Sequence, residues 1–249
     1  MENPVVDCLL NHRSIRKFKD TPLPAETIEL LLRTGIRTAS AGNLQHYSLI
    51  VVDDLELIKQ LRGDFPGSCI LIIAVVDEYR NKRWFELNEA PFYFDQAANL
   101  FIGFWDAVIA LHSIQIAAES LGLGTVYLGG ILNTALHQIF NIPDYVFPAG
   151  MVAIGYPDEA PKLRPRLPVE AVVHHNGYQI PTDDQIREYF REKDEQWNSI
   201  PPERQAELEV KGIHNTAQRV TLGHYSSEFV ATRSQLILEN VRKAKFRLP

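Results

Sequence analysis

The sequence predicts a mixed fold of helices and strands, either α/β or α+β. Two stretches, Cys69–Val76 and Pro148–Tyr156, have the length and the apolar character of buried strands. They alternate along the chain with stretches in which apolar residues recur at helical spacing. Two connections between strands lack a long helix, so the pattern does not require a doubly wound parallel sheet.

The first half of the chain alternates helices and strands. Pro4 suits the first turn of a helix, and Thr21–Pro24 is a breaker before a second helical pattern. In order, the predicted elements are helices over Val5–His12 and Ala25–Thr38, a strand over Tyr47–Val52, a helix over Leu55–Leu61 and the strand Cys69–Val76.

Phe92 to Leu121 is the longest helical candidate. At about 28 to 30 residues it would be roughly 42 Å long. Its residues are apolar on most sides, and a helix that is apolar all round is buried all round. The sequence therefore predicts either the central helix of one subunit or a helix that also packs against a second subunit.

The chain changes character after its last predicted strand. A strand over Thr125–Leu128 and a helix over Thr134–Phe140 precede that strand. From about residue 157 onward there is no long apolar stretch, and the two predicted helices, Ile180–Ile200 and Ser226–Lys245, are largely polar. We expect one domain over residues 1–249, in which residues 157–249 form an extended arm that wraps or exchanges.

The composition predicts a soluble, cytoplasmic protein. A net charge of −6 and a pI near 5.8 argue against broad binding of nucleic acid, which needs a basic face. No signal peptide or membrane span is expected, because the N-terminus is acidic and polar residues interrupt the apolar stretches. Cys8 and Cys69 sit among apolar residues, as buried thiols do. No cluster of metal ligands is evident.

Asn11–Phe18 concentrates cationic and hydroxyl groups directly after an apolar run. Arg13, Ser14, Arg16 and Lys17 could hold a phosphate and the polar edge of a ring. They could equally form the solvated, basic end of a short helix.

Two further segments also allow two interpretations each. Ala39–Gln45 collects small and amide side chains, either as a plain turn or as a loop that hydrogen-bonds a heterocycle. Lys162–Pro168 spaces three cations at alternate positions, which an extended chain presents on one face. That face is either a phosphate-binding site or part of a solvated linker.

The glycine-rich stretch Leu121–Gly130 does not match the dinucleotide fingerprint, because Tyr127 stands where a third glycine would fall. Gly129 and Gly130 would let a flat or anionic group approach the backbone. The pair His174–His175 lacks a third ligand and is expected to be structural. Binding groups without an evident nucleophile or base suit an enzyme whose cofactor performs the chemistry.

Four segments in this order resemble the nitroreductase family of FMN enzymes, and more narrowly its NADPH-dependent nitroreductase and flavin reductase branch. They are Asn11–Phe18, Ser40–Gln45, Ile116–Gly130, and Arg164–Pro168 with His174 and Asn176. The resemblance implies an α+β, three-layer α-β-α fold with a central, mostly antiparallel sheet. It also implies a homodimer with a long interface helix and an exchanged C-terminal arm.

The resemblance further implies an FMN site at the dimer interface, with residues assigned by position. The FMN phosphate and ring edge would be bound by His12, Arg13, Ser14 and Arg16. The flavin would be lined by Ser40, Asn43 and Gln45, the last from the partner subunit, and one ring face would be followed by Tyr127, Leu128, Gly129 and Gly130. Arg164 and Arg166 would clamp the phosphate.

The chemistry implied is a ping-pong reaction. NADPH or NADH passes a hydride to flavin N5, and a nitroaromatic, a quinone or free flavin then takes the electrons, so no side chain need be catalytic. Candidates for binding the nicotinamide nucleotide are Lys211, Arg219 and Arg233.

Two departures from the family leave alternatives open. Ser234-Gln235 stands where relatives have an arginine followed by proline, and the loop Arg62–Ser68 is short. The alternatives are an FMN-binding sensor or storage protein with slow turnover, and a flavoenzyme of other reductive or dehydrogenase chemistry on the same fold.

Overall fold

A computed structural model describes residues 3–62, 66–129 and 135–248 of the chain. The chain divides into two compact units. The first comprises Met1–Leu163 and Gln235–Pro249, and the second comprises Arg164–Ser234. The chain therefore leaves the first unit and returns to it near the C-terminus. The loss of apolar stretches predicted from residue 157 precedes the second unit by a few residues.

A four-stranded sheet of order β1-β2-β4-β3 forms the centre of the first unit. Every neighbouring pair is antiparallel, which decides between α/β and α+β in favour of α+β. All four predicted strands are confirmed with small shifts of their ends, at β1 Tyr47–Val52, β2 Ile70–Asp77, β3 Gly124–Tyr127 and β4 Val146–Gly155.

The helices described in the first unit surround this sheet. Up to residue 163 they are α1 Pro4–Leu10, α2 Ala25–Ile36, α3 Leu55–Arg62, α4 Tyr79–Leu87, α5 Ala97–Ser120 and α6 Leu136–Ile139. They are followed by α7 Asp183–Asn198, α8 Pro202–Val210, α9 Thr216–Gln218 with a π-helical turn over Arg219–His224, and α10 Ser227–Lys243.

The buried strand β2 explains the three layers. Alternate residues of a strand point to opposite faces, and all of β2 is buried. Ile72 and its alternate neighbours pack in a core with α2 and α5, whereas Ile73 and its alternate neighbours pack in a second core with α3 and α6. The sheet is thus covered on both faces, as the predicted α-β-α architecture requires.

Helix α5 is shorter than predicted and is buried on one side in the single chain. It begins at Ala97 rather than Phe92, because Phe92 and Phe94 pack in an aromatic cluster with Tyr145 and Phe85. One face of α5 lies on the sheet. The opposite face is exposed, including 58% of Phe101, 37% of Phe104, 60% of Trp105 and 43% of Ile109.

Within the described residues, α5 is the one helix long and apolar enough to span a membrane. Its inner face nevertheless buries two polar residues, Asp106 and Gln115, and packs along the sheet. A core helix of this kind passes a test of length and composition equally well.

Other helix boundaries follow from local signals. α7 begins at Asp183 rather than Ile180 because Thr182 and Gln185 form a capping box. α4 and α8 were not predicted, since both are strongly polar and present few apolar residues at helical spacing. In α4, Lys82 and Arg83 both pair with Glu86 one turn on, which supports an exposed helix.

The end of the chain is fixed to the first unit. Val241, Ala244 and Phe246 are buried in the core that contains the inner face of α5. Arg247 Nη2 lies 2.7 Å from Asp95 Oδ1, just before α5 begins. The C-terminal residues are therefore part of the core.

Candidate functional site

The first group of predicted donors lies along the outer edge of the sheet. After α1 ends at Leu10, the chain runs beside β3, and the N–H of Ile15 donates to the carbonyl of Thr125 at 2.8 Å. Ser14 and Thr125 form an isolated parallel bridge. This pairing places His12, Arg13 and Ser14 beside the C-terminal end of α5.

A carboxylate of α5 organises this segment. Glu119 Oε1 accepts hydrogen bonds from Thr125 Oγ1 at 2.5 Å and from Gln115 Nε2 at 3.0 Å. It also lies 2.7 Å from His12 Nδ1, which is 2.9 Å from Gln115 Nε2 as well, and these contacts fix the orientation of the ring. Sequence reasoning missed the role of Glu119, because only the fold brings it to His12.

A second carboxylate fixes the next two residues. Glu159 Oε1 accepts the backbone N–H groups of Arg16 at 2.5 Å and Lys17 at 3.0 Å. These two hydrogen bonds hold the pKa of Glu159 below its usual range. The side chain of Arg16 stays exposed, and its Nη1 donates to the carbonyl of Ser14 at 3.5 Å. Glu159 was not predicted from the sequence either.

A cleft of about 490 Å³ opens beside this segment and is lined by Arg13, by residues of α1 and by the turn after α5. Among the residues that the structure describes, Arg13 Nε is buried without a hydrogen-bond partner. A buried donor without an acceptor costs stability. An acceptor on a ligand in the cleft would remove that cost.

The predicted ring-face residues follow directly from β3. Tyr127 ends the strand, and the N–H of Leu128 donates to the carbonyl of Met151 at 2.9 Å. Although 42% of Tyr127 is exposed, desolvation of its phenol and the nearby Glu119 charge raise its pKa to about 12. The phenol therefore stays protonated at neutral pH. Gly129 is exposed, and Gly130 lies outside the described residues.

The second group of predicted residues forms a loop between α2 and β1, with a 3-10 turn over Ala41–Asn43. Left-handed backbone angles occur at Gly42 (φ 57°), Asn43 (φ 55°) and Gln45 (φ 49°). Residues other than glycine adopt this region at a cost. The loop therefore depends on contacts from outside itself, which the buried residue Asp106 of α5 provides.

The two groups are not brought together in one chain. The β3 group, which comprises His12–Arg16 and Tyr127–Gly129, is attached to α5 at Glu119. The loop Ser40–Gln45 is attached at Asp106, 13 residues earlier. That separation is roughly 20 Å along the helix axis. A ligand that touched both groups of the same chain would have to span this distance.

The remaining predicted residues lie in the second unit. Arg166 Nη1 donates to the carbonyl of Arg164 at 3.4 Å, so the two residues are adjacent in an extended segment. Lys211 follows α8, and Arg219 begins the π-helical turn. The guanidinium of Arg233 lies 5.0 Å from the ring of Phe229. The roles of these five residues stay predictions.

The model of the nitroreductase family matches residues 9–156 of the chain. That range includes α5, the whole sheet, the His12–Arg16 segment and the Ser40–Gln45 loop.

Individual relatives agree with the family match. An NADPH-dependent oxidoreductase of Staphylococcus haemolyticus is 34% identical over 217 residues, covering 78% of this chain and 85% of the relative. An FMN reductase (NADPH) of Bacillus subtilis is 32% identical over 211 residues, covering 77% and 85%. The structure of an NADPH:FMN oxidoreductase from Vibrio harveyi complexed with NAD+ superimposes with a TM-score of 0.68 at 28% identity, covering 85% of this chain and 99% of the other.

Glu159 generates a prediction about acid stability. Because its folded-state pKa is lowered, its contribution is present above the unfolded value near pH 4.3 and is lost as the pH falls through the folded value. We expect Glu159→Gln to lower the free energy of unfolding by about 1 kcal/mol at neutral pH. The difference from wild type should shrink as the pH falls below about 4.

Urea unfolding between pH 3 and 7 measures this difference. The control is Asp158→Asn, which changes the adjacent, exposed carboxyl group and should stay within about 0.5 kcal/mol of wild type. A loss in Glu159→Gln that does not vary with pH would contradict the assignment.

Proposed function

The chain belongs to the nitroreductase family, and we propose that two chains together form its FMN site. The protein is an NAD(P)H-dependent oxidoreductase of the flavin reductase and nitroreductase type, with FMN as its cofactor. The proposal concerns which residues hold the cofactor, how the chains assemble and which acceptors are reduced.

The residues of the β3 group fit the cofactor. The observation that carries this proposal is the buried, unpartnered Nε of Arg13 beside the cleft. A phosphate oxygen is a strong acceptor for guanidinium groups, and Ser14 and Arg16 supply further donors in the same segment. The protonated phenol of Tyr127 and the adjacent Leu128 and Gly129 would border the ring system.

The loop supplies the complementary groups. The exposed Asn43 and the amide of Gln45 can offer both donors and acceptors to the polar edge of a heterocycle. The separation of roughly 20 Å along α5 favours an arrangement in which this loop reaches the β3 group of a partner subunit.

FMN held by these residues would supply the redox chemistry between reduced nicotinamide and the electron acceptor. The side chains then have the tasks of binding, orienting and excluding water. We propose nitroaromatics, quinones and free flavin as acceptors, and Lys211, Arg219 and Arg233 as candidates for holding the nicotinamide nucleotide.

A homodimer is supported by the outer face of α5. Its exposed apolar residues recur on one side of the helix, and a contiguous apolar face of this kind marks an interaction surface. A second copy of the chain is the proposed occupant, which would make α5 the interface helix.

We further propose a single functional domain in which residues 157–249 form an arm that exchanges between subunits, and a cytoplasmic location. The location is supported by the two free thiols, Cys8 and Cys69, because reducing compartments maintain free cysteines.

Flavin identification followed by anaerobic reduction tests the proposed function. Purified protein should carry or take up FMN, lose its flavin absorbance on mixing with NADPH or NADH, and regain it with a nitroaromatic, a quinone or free flavin. Bleaching by neither nucleotide would favour an FMN-binding protein with slow turnover. Bleaching without transfer to any of these acceptors would favour other reductive or dehydrogenase chemistry.

Arg13 is expected to strengthen FMN binding without stabilising the FMN-free protein. Arg13→Met keeps the aliphatic volume but removes the charged donors, so FMN affinity should fall about 10-fold to 150-fold. The free energy of unfolding of the FMN-free protein should not fall, because the variant removes a buried donor without a partner.

Flavin fluorescence titration and urea unfolding of the FMN-free protein measure these two effects. Lys19→Met removes an exposed cation close to the same segment that is not among the proposed contacts, and it should retain FMN affinity. Equal losses in both variants would indicate a general electrostatic effect and remove Arg13 from the site.

Substitution of Trp105 tests whether the outer face of α5 forms the proposed dimer interface. Sedimentation of the intact protein should give twice the chain mass of 28.3 kDa, and Trp105→Asp should shift it toward the monomer because the charge would be buried. Leu55→Asp is the matched control, since Leu55 is 57% exposed and begins α3 on the opposite face of the sheet. Dimerisation that persists in Trp105→Asp would place the interface elsewhere.

A further inference from the structure

Asp106 is a buried carboxylate that faces the Ser40–Gln45 loop from the middle of α5. It is 4% exposed. Oδ2 accepts hydrogen bonds from Ser40 Oγ at 2.7 Å and from the N–H of His46 at 3.3 Å, and Oδ1 accepts from the N–H of Ala41 at 3.2 Å. A buried charge is retained only where such partners compensate its lost hydration.

Ser40 extends this contact across the loop. Its hydroxyl donates to Asp106 and accepts the N–H of Gln45 at 2.7 Å. A hydroxyl has one proton to donate, so that proton is committed to Asp106. Ser40 therefore belongs to the scaffold of the loop. The groups that remain for a heterocycle are the amide of Asn43 and the part of the Gln45 amide that is not used in the hydrogen bond from its Nε2 to the carbonyl of Ile36 at 3.2 Å.

His46 directly follows the loop and is buried. Its Nδ1 lies 2.7 Å from Oε1 of the fully buried Glu78. Burial alone would lower the pKa of His46, but the hydrogen bond and charge of Glu78, together with the charge of Asp106 and the backbone of Ala41, raise it above its usual value. Asn81 Nδ2 donates to the other oxygen of Glu78 at 3.1 Å.

These contacts connect a strained loop to a rigid helix. The left-handed residues Asn43 and Gln45 lie in the segment Ala41–Gln45. The N–H of Ala41 donates to Asp106 directly, and the N–H of Gln45 donates to Ser40, whose hydroxyl donates to Asp106. Side chains that bind a ligand need such support to hold a fixed geometry.

We propose that Asp106 is a positioning residue that fixes the Ser40–Gln45 loop so that Asn43 and Gln45 present their amides to the flavin. This inference rests on the proposed function. It adds that Ser40 acts through the loop rather than by direct contact with the cofactor.

Hydrogen exchange of the FMN-free protein tests the positioning role without any flavin. In Asp106→Asn, one side-chain atom becomes an NH2 group, which cannot accept a hydrogen bond. At least one of the N–H groups of Ala41 and His46 then loses its acceptor, and its exchange should accelerate about tenfold. Leu111→Ala, a buried substitution on the same helix, is the control for general loss of stability and should leave the loop amides protected relative to the core.

FMN affinity then tests the functional consequence through a double-mutant cycle. Asp106→Asn and Ser40→Ala should each weaken FMN binding about tenfold, and the double variant should bind no more weakly than the weaker single variant. At saturating FMN, the visible circular dichroism of the bound flavin should change in both variants but not in Leu111→Ala. If Asp106→Asn does not fold, Ser40→Ala decides by FMN affinity, by circular dichroism and by exchange at the N–H of Gln45, which loses its acceptor on Ser40 Oγ.

The outcomes separate the two proposals. Unchanged exchange at Ala41 and His46 overturns the positioning role whatever the flavin result. Additive losses in the cycle, or FMN affinity equal to wild type in Ser40→Ala, overturn the statement that Ser40 and Asp106 act as one unit on the cofactor. A wild-type chain that binds no FMN overturns the proposed function instead.

Discussion

The structure depends on the packing of one helix, α5, across a buried antiparallel sheet. The inner face of this helix contributes six buried residues to the first core, and the helix also carries the two carboxylates that reach the candidate site. Glu119 fixes His12 and Thr125 near the end of the helix, and Asp106 fixes the Ser40–Gln45 loop near its middle. Any change in how α5 lies on the sheet would therefore move both parts of the site together.

The sequence predicts those elements whose signal is local. β2 and β4 were predicted because long apolar runs of strand length are distinctive. The helix α7 was also predicted, but its start was placed at Ile180, before the capping box of Thr182 and Gln185 that marks the boundary. α4 and α8 were missed because a polar helix held by neighbouring ion pairs leaves no apolar periodicity. The start of α5 was misplaced because Phe92 and Phe94 satisfy a helical pattern but pack in an aromatic cluster.

The supporting carboxylates could not be predicted in the same way. Each of the carboxylates Glu119, Glu159 and Asp106 has a partner that lies 60 to 143 positions away in the chain, and those distant partners emerge only with the fold. The sequence shows the donors of an anion site, because cations and hydroxyl groups cluster in Asn11–Phe18. It does not show that acidic residues hold that segment in place, and a chain of net charge −6 offers many carboxylates with no local reason to choose among them.

The return of the C-terminus to the first unit has a consequence for synthesis on the ribosome. Val241, Ala244 and Phe246 complete the same core as the inner face of α5, and Arg247 pairs with Asp95 beside the start of that helix. A nascent chain that has already exposed α5 and the sheet must therefore wait until residues 241–246 have been synthesised before this core can close. During that interval its apolar surface is exposed to aggregation or to binding by chaperones. The risk of aggregation during synthesis therefore depends on the order in which the core segments are made rather than on the stability of the folded protein.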